Sequence, residues 1–204
     1  MEKKSDTWHF FATVSRMKYI ERWALMRSTR PENISEHSLE VAMIGHALCI
    51  IGNVRYGKRL NAEKAALIGL YHDASEIITG DMPTPVKYSS RDIRAAYRKV
   101  EEMAENRLLE QLPEDLRPVY EKIFRADQTG EEKYLRGLVK AADKLSAYIK
   151  CLEERRAGNR EFDYAAENIH KSLEAVPWPE VRDFLLEFLP AFEMTLDELN
   201  HPGS

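Results

Sequence analysis

The residues best suited to chemistry are two histidines and two aspartates that interrupt otherwise apolar helical stripes. Positions 37, 41, 44, 48 and 51 read His, Val, Ile, Leu, Ile, one helix face with His37 at its N-terminal end. Ala65, Ile68, His72 and Glu76 form a second stripe, with Asp73 one step round the helix. A third seam runs Leu135, Leu138, Ala142, Leu145, Ile149 and Leu152, flanked by Asp143 between Val139 and Ser146. Taken singly, each has a structural explanation: His37 as a hydrogen-bonded core residue, His72-Asp73 as chance neighbours, Asp143 as a solvated carboxylate. His46 and His170 read as structural. The combination reads differently, because a buried carboxylate is costly unless it is paired or bound to a cation. Two imidazoles and two carboxylates suit one hard-to-borderline divalent ion such as Mn, Co, Fe or Zn. Neighbours on a helix point about 100° apart. His72 and Asp73 can therefore share an ion between them, with His37 and Asp143 closing from the sides. Four protein ligands leave open positions on an octahedral ion for water and a substrate oxygen.

The elements that must position these groups are helical almost throughout. The spacing predicts a helix over about 7–19. A second begins near Asn33, an N-cap with Glu36 three residues on, and runs to about 51. A third spans about 62–78 between Asn61 and Gly80. The segment 81–85 carries Pro83 and Pro85 and is expected to be non-helical. Further helices are expected over about 91–111, 114–124 and 131–158, and after Pro177-Trp178-Pro179 over 180–192. The expected fold is all-α, a single domain over 1–204 with its core at about 8–160 and a helical extension over 161–204.

Composition narrows the function classes. Among 204 residues, 44% are hydrophobic and 31% charged, which suits a globular chain. With 30 Lys+Arg against 34 Asp+Glu the net charge is −4, so a nucleic-acid polymer is not the expected partner, while a small anion held by local cations is. Cys49 and Cys151 stand far apart with no CxxC spacing. They read as buried free thiols in a reducing compartment, not as a zinc knuckle or dithiol. The first six residues lead into an aromatic segment without a signal-peptide core, and the most apolar stretch, 41–51, is shorter than a bilayer span. A cytoplasmic protein away from the membrane is expected.

The order His37, His72-Asp73, Asp143 resembles the H…HD…D signature of the HD-domain metal-dependent phosphohydrolases. The surrounding segments resemble the bacterial 5'-deoxynucleotidase (YfbR-like) family more closely still. They are Arg22-Trp23-Ala24-Leu25-Met26-Arg27, Ser35-Glu36-His37-Ser38-Leu39, Tyr71-His72-Asp73-Ala74-Ser75-Glu76, the stretch from Thr79 to Tyr88, Lys140-Ala141-Ala142-Asp143, and that from Tyr148 to Glu154. The resemblance is good over about 8–160 and vaguer beyond. It implies an HD-domain enzyme that hydrolyses deoxyribonucleoside 5'-monophosphates to deoxyribonucleoside and phosphate. By position it gives His37, His72, Asp73 and Asp143 the ligand roles around one divalent ion, cobalt, manganese or similar. It gives Arg22 the phosphate-orienting role and Trp23 the deoxyribose site. Asp81, Met82, Pro83 and Thr84 fall on the substrate loop, and Glu76 matches the catalytic acidic residue. It also implies a cytoplasmic homodimer. The hinge 126–130 and the tail after 159 depart from the pattern.

The residues themselves allow that chemistry. Arg22 offers a planar fork for phosphate oxygens, or else a surface ion pair. Glu76, four residues after His72, either takes a proton from or holds the attacking water, or orients His72. Asp81 leaves the same helix and is the other candidate to protonate the leaving 5'-oxygen; spacing does not choose between the two. Lys87 is a second cation for phosphate or a solvated lysine. A rigid indole at Trp23 fills the space a 2'-hydroxyl needs and offers it no acceptor, or else packs as a core or lid aromatic. No cluster of Asn, Gln or Arg is set to read one base edge. The rivals are other HD hydrolases, acting on triphosphates, cyclic dinucleotides or alarmones, and a non-catalytic nucleotide sensor. The Gly-Tyr-Pro and Glu-Asp signatures of the cyclic-dinucleotide and alarmone branches are absent, no triphosphate cradle is evident, and no ligand position is lost.

Overall fold

The computed structural model of the chain describes residues 7–87, 90–125 and 129–201. Among the described residues the fold is all-α, with one isolated antiparallel bridge, Glu21 to Asn33, and no strand. The helices are α1 (Phe10–Val14), α2 (Ile34–Tyr56), α3 (Ala62–Tyr71), α4 (Glu76–Thr79), α5 (Thr84–Lys87), α6 (Arg91–Leu109), α7 (Arg117–Phe124), α8 (Gly130–Arg156), α9 (Asp163–Glu174), α10 (Pro179–Glu187) and α11 (Leu196–Asn200).

Helix α2 starts where Asn33 turns extended and its side chain accepts from the Ser35 and Glu36 amides at 3.0 and 3.1 Å. It ends at Gly57, whose left-handed φ of 63° stops the helix. Val41, Ile44 and Leu48 of α2, Ala65 and Ile68 of α3, and Leu138, Ala142 and Leu145 of α8 share one core, closed by Leu173, Val181 and Phe184 from α9 and α10. A second cluster gathers Phe10, Met17, Ile34 and Ala74 around Leu108 and Leu112. Cys49 and Cys151 are buried free thiols, each pushed up to about 12 by burial and so inert.

The contact of α2 with α3 fixes the distance between the first two histidine-bearing segments. Gly69 lies so close to α2 that a Cβ there would stand 2.7 Å from the Ala42 Cα. The neighbour is backbone and cannot yield as a flexible side chain can.

Several boundaries differ from expectation. The first helix splits into α1 and a 3-10 turn over Ser15–Tyr19. Helix α3 stops at Tyr71, so His72 to Ser75 form a turn and not helix interior; i to i+3 bonds such as Glu76 N–H to Asp73 C=O at 2.9 Å tighten it. Thr84 and Pro85 belong to the one-turn helix α5, because proline is tolerated in a first turn. The expected helix over 180–192 ends at Glu187 and gives way to a 3-10 turn holding Pro190. Helix α9, with Ala166, Ile169 and Leu173 at helical spacing, opens the helical extension expected over 161–204, where the spacing sets no bounds before Pro177. At 23 residues, α2 is longer than the 41–51 stretch suggests and meets the length and composition of a membrane span. It is instead the central helix of the core, carrying buried His37 and Ser38.

The Gly69 contact makes a direct prediction. Gly69→Ala should destabilise by about 1–3 kcal/mol, as overpacking against fixed backbone does. The melting temperature should fall by roughly 2–4 °C per kcal/mol; an unchanged melting temperature would contradict the close approach.

Candidate active site

Three elements converge on one point. His37 comes from the first turn of α2, His72 and Asp73 from the turn after α3, and Asp143 from the middle of α8. His37 Nε2 lies 3.1 Å from Asp143 Oδ1 and 3.6 Å from Asp73 Oδ2. His72 Nε2 lies 3.1 Å from the same Asp73 oxygen, and the two imidazole centroids are 5.3 Å apart. One ligating atom each from His37, His72 and Asp143 falls within 4.8 Å of the others. His37 is fully buried, whereas the Asp143 side chain is 42% exposed, so the cluster opens to solvent on the α8 side.

The hydrogen bonds around the histidines decide which nitrogen faces the centre. Ser146 Oγ donates to Glu40 Oε2 at 2.6 Å, which leaves its oxygen to accept the His37 Nδ1–H at 2.9 Å. His72 Nδ1–H donates to the Gly69 carbonyl at 2.7 Å. Both rings therefore commit Nδ1 and turn Nε2 inward, the arrangement that orients metal-bound imidazoles. His72 Nε2 is buried and, despite the nearby Asp73 oxygen, has no hydrogen-bond partner among the described residues. A buried ring nitrogen without a hydrogen-bond partner, facing two carboxylates and a second imidazole, fits a divalent cation that replaces its proton.

Electrostatics agree with the geometry. Burial opposes ionisation of Asp73, but His72, His37 and Arg22 hold its carboxyl well below the usual range. Asp143 is likewise held low by His37 and His72 against burial. Burial opposes charge on His72 too, yet Asp73 and Asp143 raise it to about 9, so a metal ion must displace a proton there. Glu76, at the start of α4, is 6% exposed, and one of its carboxyl oxygens has no partner. Burial, with Asp73 and Asp81 nearby, pushes it up to about 9, so before any cation binds it carries a proton at neutral pH. Asp81 is raised by burial, with Arg22 and the Trp23 amide pulling the other way.

Arg22 and Trp23 sit on a loop whose ends are stitched together. The Arg22 amide donates to the Glu32 carbonyl at 2.8 Å and the Ile34 amide to the Ile20 carbonyl at 3.0 Å. The loop tip is anchored on α8, where buried Glu154 accepts from the Thr29 amide at 2.8 Å and hydroxyl at 2.7 Å. Lys150, paired with Glu154, donates to the Arg30 carbonyl at 2.6 Å. Arg22 reaches Asp73 at 3.3 Å and Glu32 at 2.9 Å, a buried pairing and not a surface one. Trp23 is the one non-glycine among the described residues with positive φ, 59°. Its amide donates to Asp81 Oδ2 at 3.3 Å, its indole N–H to Glu32 Oε2 at 2.9 Å, and its ring meets Phe162 edge-on at 5.3 Å.

The remaining candidates are less closely drawn in. Met82 and Pro83 follow Asp81 as a partly buried connection into α5, and the Pro83 carbonyl accepts from the Val86 and Lys87 amides. The Thr84 side chain lies outside the described residues, as do residues 126–128 of the hinge. Lys87 is no solvated lysine: it pairs with Glu101 at 2.7 Å and lines, with His72, Asp143 and Arg136, a cleft of about 500 Å³. Sequence reasoning missed Glu32, Glu40, Ser146, Glu154 and Phe162. Two of these carry a helical signal, since Glu40 follows His37 by three residues and Ser146 follows Asp143 by three.

Comparison with known proteins places the chain among its relatives. The family model for 5'-deoxynucleotidase YfbR-like proteins matches residues 9–192, well past the motifs that end near 160. A 5'-deoxynucleotidase of Shewanella oneidensis is 47% identical over 192 residues, covering 94% of this chain and 97% of that one. One from Vibrio atlanticus is 48% identical, covering 94% and 98%. Among solved structures, an HD-domain phosphohydrolase from Listeria innocua superposes with a TM-score of 0.76 at 25% identity, over 90% of this chain and 88% of that one. The cyanophage S-2L HD phosphohydrolase, solved with dA and one catalytic Zn2+ ion, shares the fold with a TM-score of 0.61 at 20% identity, over 96% and 100%. Relatedness this close, across nearly the whole length, makes the chain a member of the 5'-deoxynucleotidase YfbR-like family.

Proposed function

We propose that this protein is a metal-dependent phosphohydrolase that cleaves deoxyribonucleoside 5'-monophosphates to deoxyribonucleoside and phosphate. The observation that carries the reading is the inward-facing pair of imidazole Nε2 atoms beside two ionised carboxylates, with a buried arginine 3.3 Å from one of them. His37, His72, Asp73 and Asp143 would hold one divalent ion, with cobalt or manganese the expected metals. Such an ion, when bound, supplies a nucleophile at neutral pH and withdraws charge from a phosphate oxygen.

The other groups take roles around it. Arg22, kept charged by Asp73 and Glu32 against the cost of burial, turns its guanidinium to the phosphate. Glu76 and Asp81 are the proton-handling groups. Glu76 is buried beside the cluster with an oxygen that has no partner among the described residues, and Asp81 stands close enough to share the task. Trp23 screens the sugar, supported by its fixed indole and its left-handed backbone, a conformation that a bulky residue adopts only under constraint. Met82, Pro83 and Thr84 line the substrate loop, and Lys87 adds positive charge at the cleft. We read the chain as one domain working in the cytoplasm as a homodimer. The outer face of α2, where Leu39, Met43, Ile50 and Val54 stand 41–77% exposed at helical spacing, supports pairing of two copies.

Two measurements test this reading. Asp73→Ala should abolish phosphate release from deoxynucleoside monophosphates and lower bound metal from about one ion per chain to none; retained metal with retained activity would refute the site. Trp23→Ala should slow deoxynucleotide turnover somewhat while narrowing the deoxy/ribo gap in kcat/KM. An unpaired buried hydroxyl costs roughly 1–3 kcal/mol, which corresponds to a narrowing of about one to two powers of ten. Equal losses for both sugars, with a lower melting temperature, would make Trp23 a packing residue only.

A further inference from the structure

Glu32 was singled out by no motif, yet one of its oxygens joins the two residues proposed to read the two halves of the substrate. Oε2 accepts from Arg22 Nε at 2.9 Å and from Trp23 Nε1 at 2.9 Å. Its backbone carbonyl also accepts from the Arg22 amide at 2.8 Å, so Glu32 is registered to the pair before its side chain acts. The carboxylate side chain is only 12% exposed and Arg22 only 11%, so water competes weakly for these bonds. Neither donor has a free choice of position. The Trp23 backbone is held at φ 59° with its amide on Asp81, and its ring rests on Phe162. Arg22, beyond its bond to Glu32, touches Asp73 through Nη1 at 3.3 Å.

From this shared oxygen we infer that Glu32 is a positioning residue that couples sugar discrimination to phosphate orientation. The inference rests on the proposed deoxynucleotidase reading and deepens it. A ribose 2'-hydroxyl that displaces the indole draws the Trp23 N–H away from Oε2. The carboxylate is then free to shift, and the Arg22 fork loses the contact that fixes its Nε edge. The wrong sugar is thereby penalised at the phosphate as well as at the ribose. The expected signature in the unaltered protein is a ribonucleotide defect in kcat and not in KM alone.

Glu32→Gln is the diagnostic variant, because it keeps the side-chain shape but replaces the shared carboxylate oxygen with a neutral amide oxygen, a weaker acceptor for both donors at once. The experiment measures kcat and KM for dAMP and AMP, with bound metal and melting temperature, in wild type, Glu32→Gln, Trp23→Phe and the double variant. Glu32→Gln should lower kcat for dAMP and narrow the deoxy/ribo ratio about tenfold or more, with metal content unchanged. In the Trp23→Phe background, which lacks the indole N–H, the same change should leave the ratio where it was. Glu32→Asp, which keeps the charge but is too short to reach both donors, should reproduce the narrowing and serves if Glu32→Gln does not fold. A selective wild type whose ratio is unmoved by either Glu32 variant overturns the inference alone. So does a Glu32→Gln effect on the ratio that is equally large without the indole N–H. A wild type that hydrolyses dAMP and AMP equally well overturns the sugar-screening reading and this inference with it.

Discussion

The constraint on which the rest of the structure depends is the direction of two imidazole rings. His37 and His72 come from different elements, yet each gives its Nδ1–H to a fixed oxygen on its far side. For His37 that oxygen is a serine hydroxyl held by Glu40, and for His72 it is the carbonyl of Gly69. The consequence is a pair of Nε2 atoms facing Asp73 and Asp143 in a pocket closed except toward solvent on the α8 side. Carboxylates in such a place are costly without positive charge. In the protein as it stands, that charge comes from Arg22 and from the proton on His72, and the proposed cation would take over their part.

The packing of the core can be understood from this need. Gly69 lets α3 approach the backbone of α2 closely and also supplies the carbonyl that orients His72, so one glycine links helix spacing to ring direction. Helix α8 serves both halves of the site. Near its middle it carries Asp143 and Ser146, and two turns on it carries Lys150 and Glu154, which pin the tip of the Arg22 loop. The region after residue 160 also takes part, since Phe162 packs against the Trp23 ring.

Much of this was legible in the sequence, for identifiable reasons. The stripes around His37 and Asp143 are long and periodic, so α2 and α8 follow from them, and a polar residue on an apolar face marks itself. The break at His72 is less visible: Ala65, Ile68, His72 and Glu76 fit one helix, and only tertiary bonding shows that the chain tightens into i to i+3 turns after Tyr71. The prolines at 83 and 85 mark 81–85 as non-helical, which holds for 81–83; Pro85 lies in the first turn of α5, where its missing donor is not needed. The extension after 160 is expected to be helical but without bounds, because the three apolar anchors of α9 give too weak a period to place its ends. Glu32 could not be read at all. Its bonds to Arg22 and Trp23 depend on a ten-residue excursion closing on itself, and nothing local in the sequence announces that closure.

The central claim is that ring orientation builds a single cation site, and anomalous diffraction from crystals of the intact protein grown with MnCl2 tests it most directly. The account predicts one manganese peak within bonding distance of Nε2 of both His37 and His72 and of carboxylate oxygens of Asp73 and Asp143, with Nδ1 of each ring still donating to Ser146 and Gly69. A peak bonded through Nδ1, or no ordered manganese between these four residues, would contradict it.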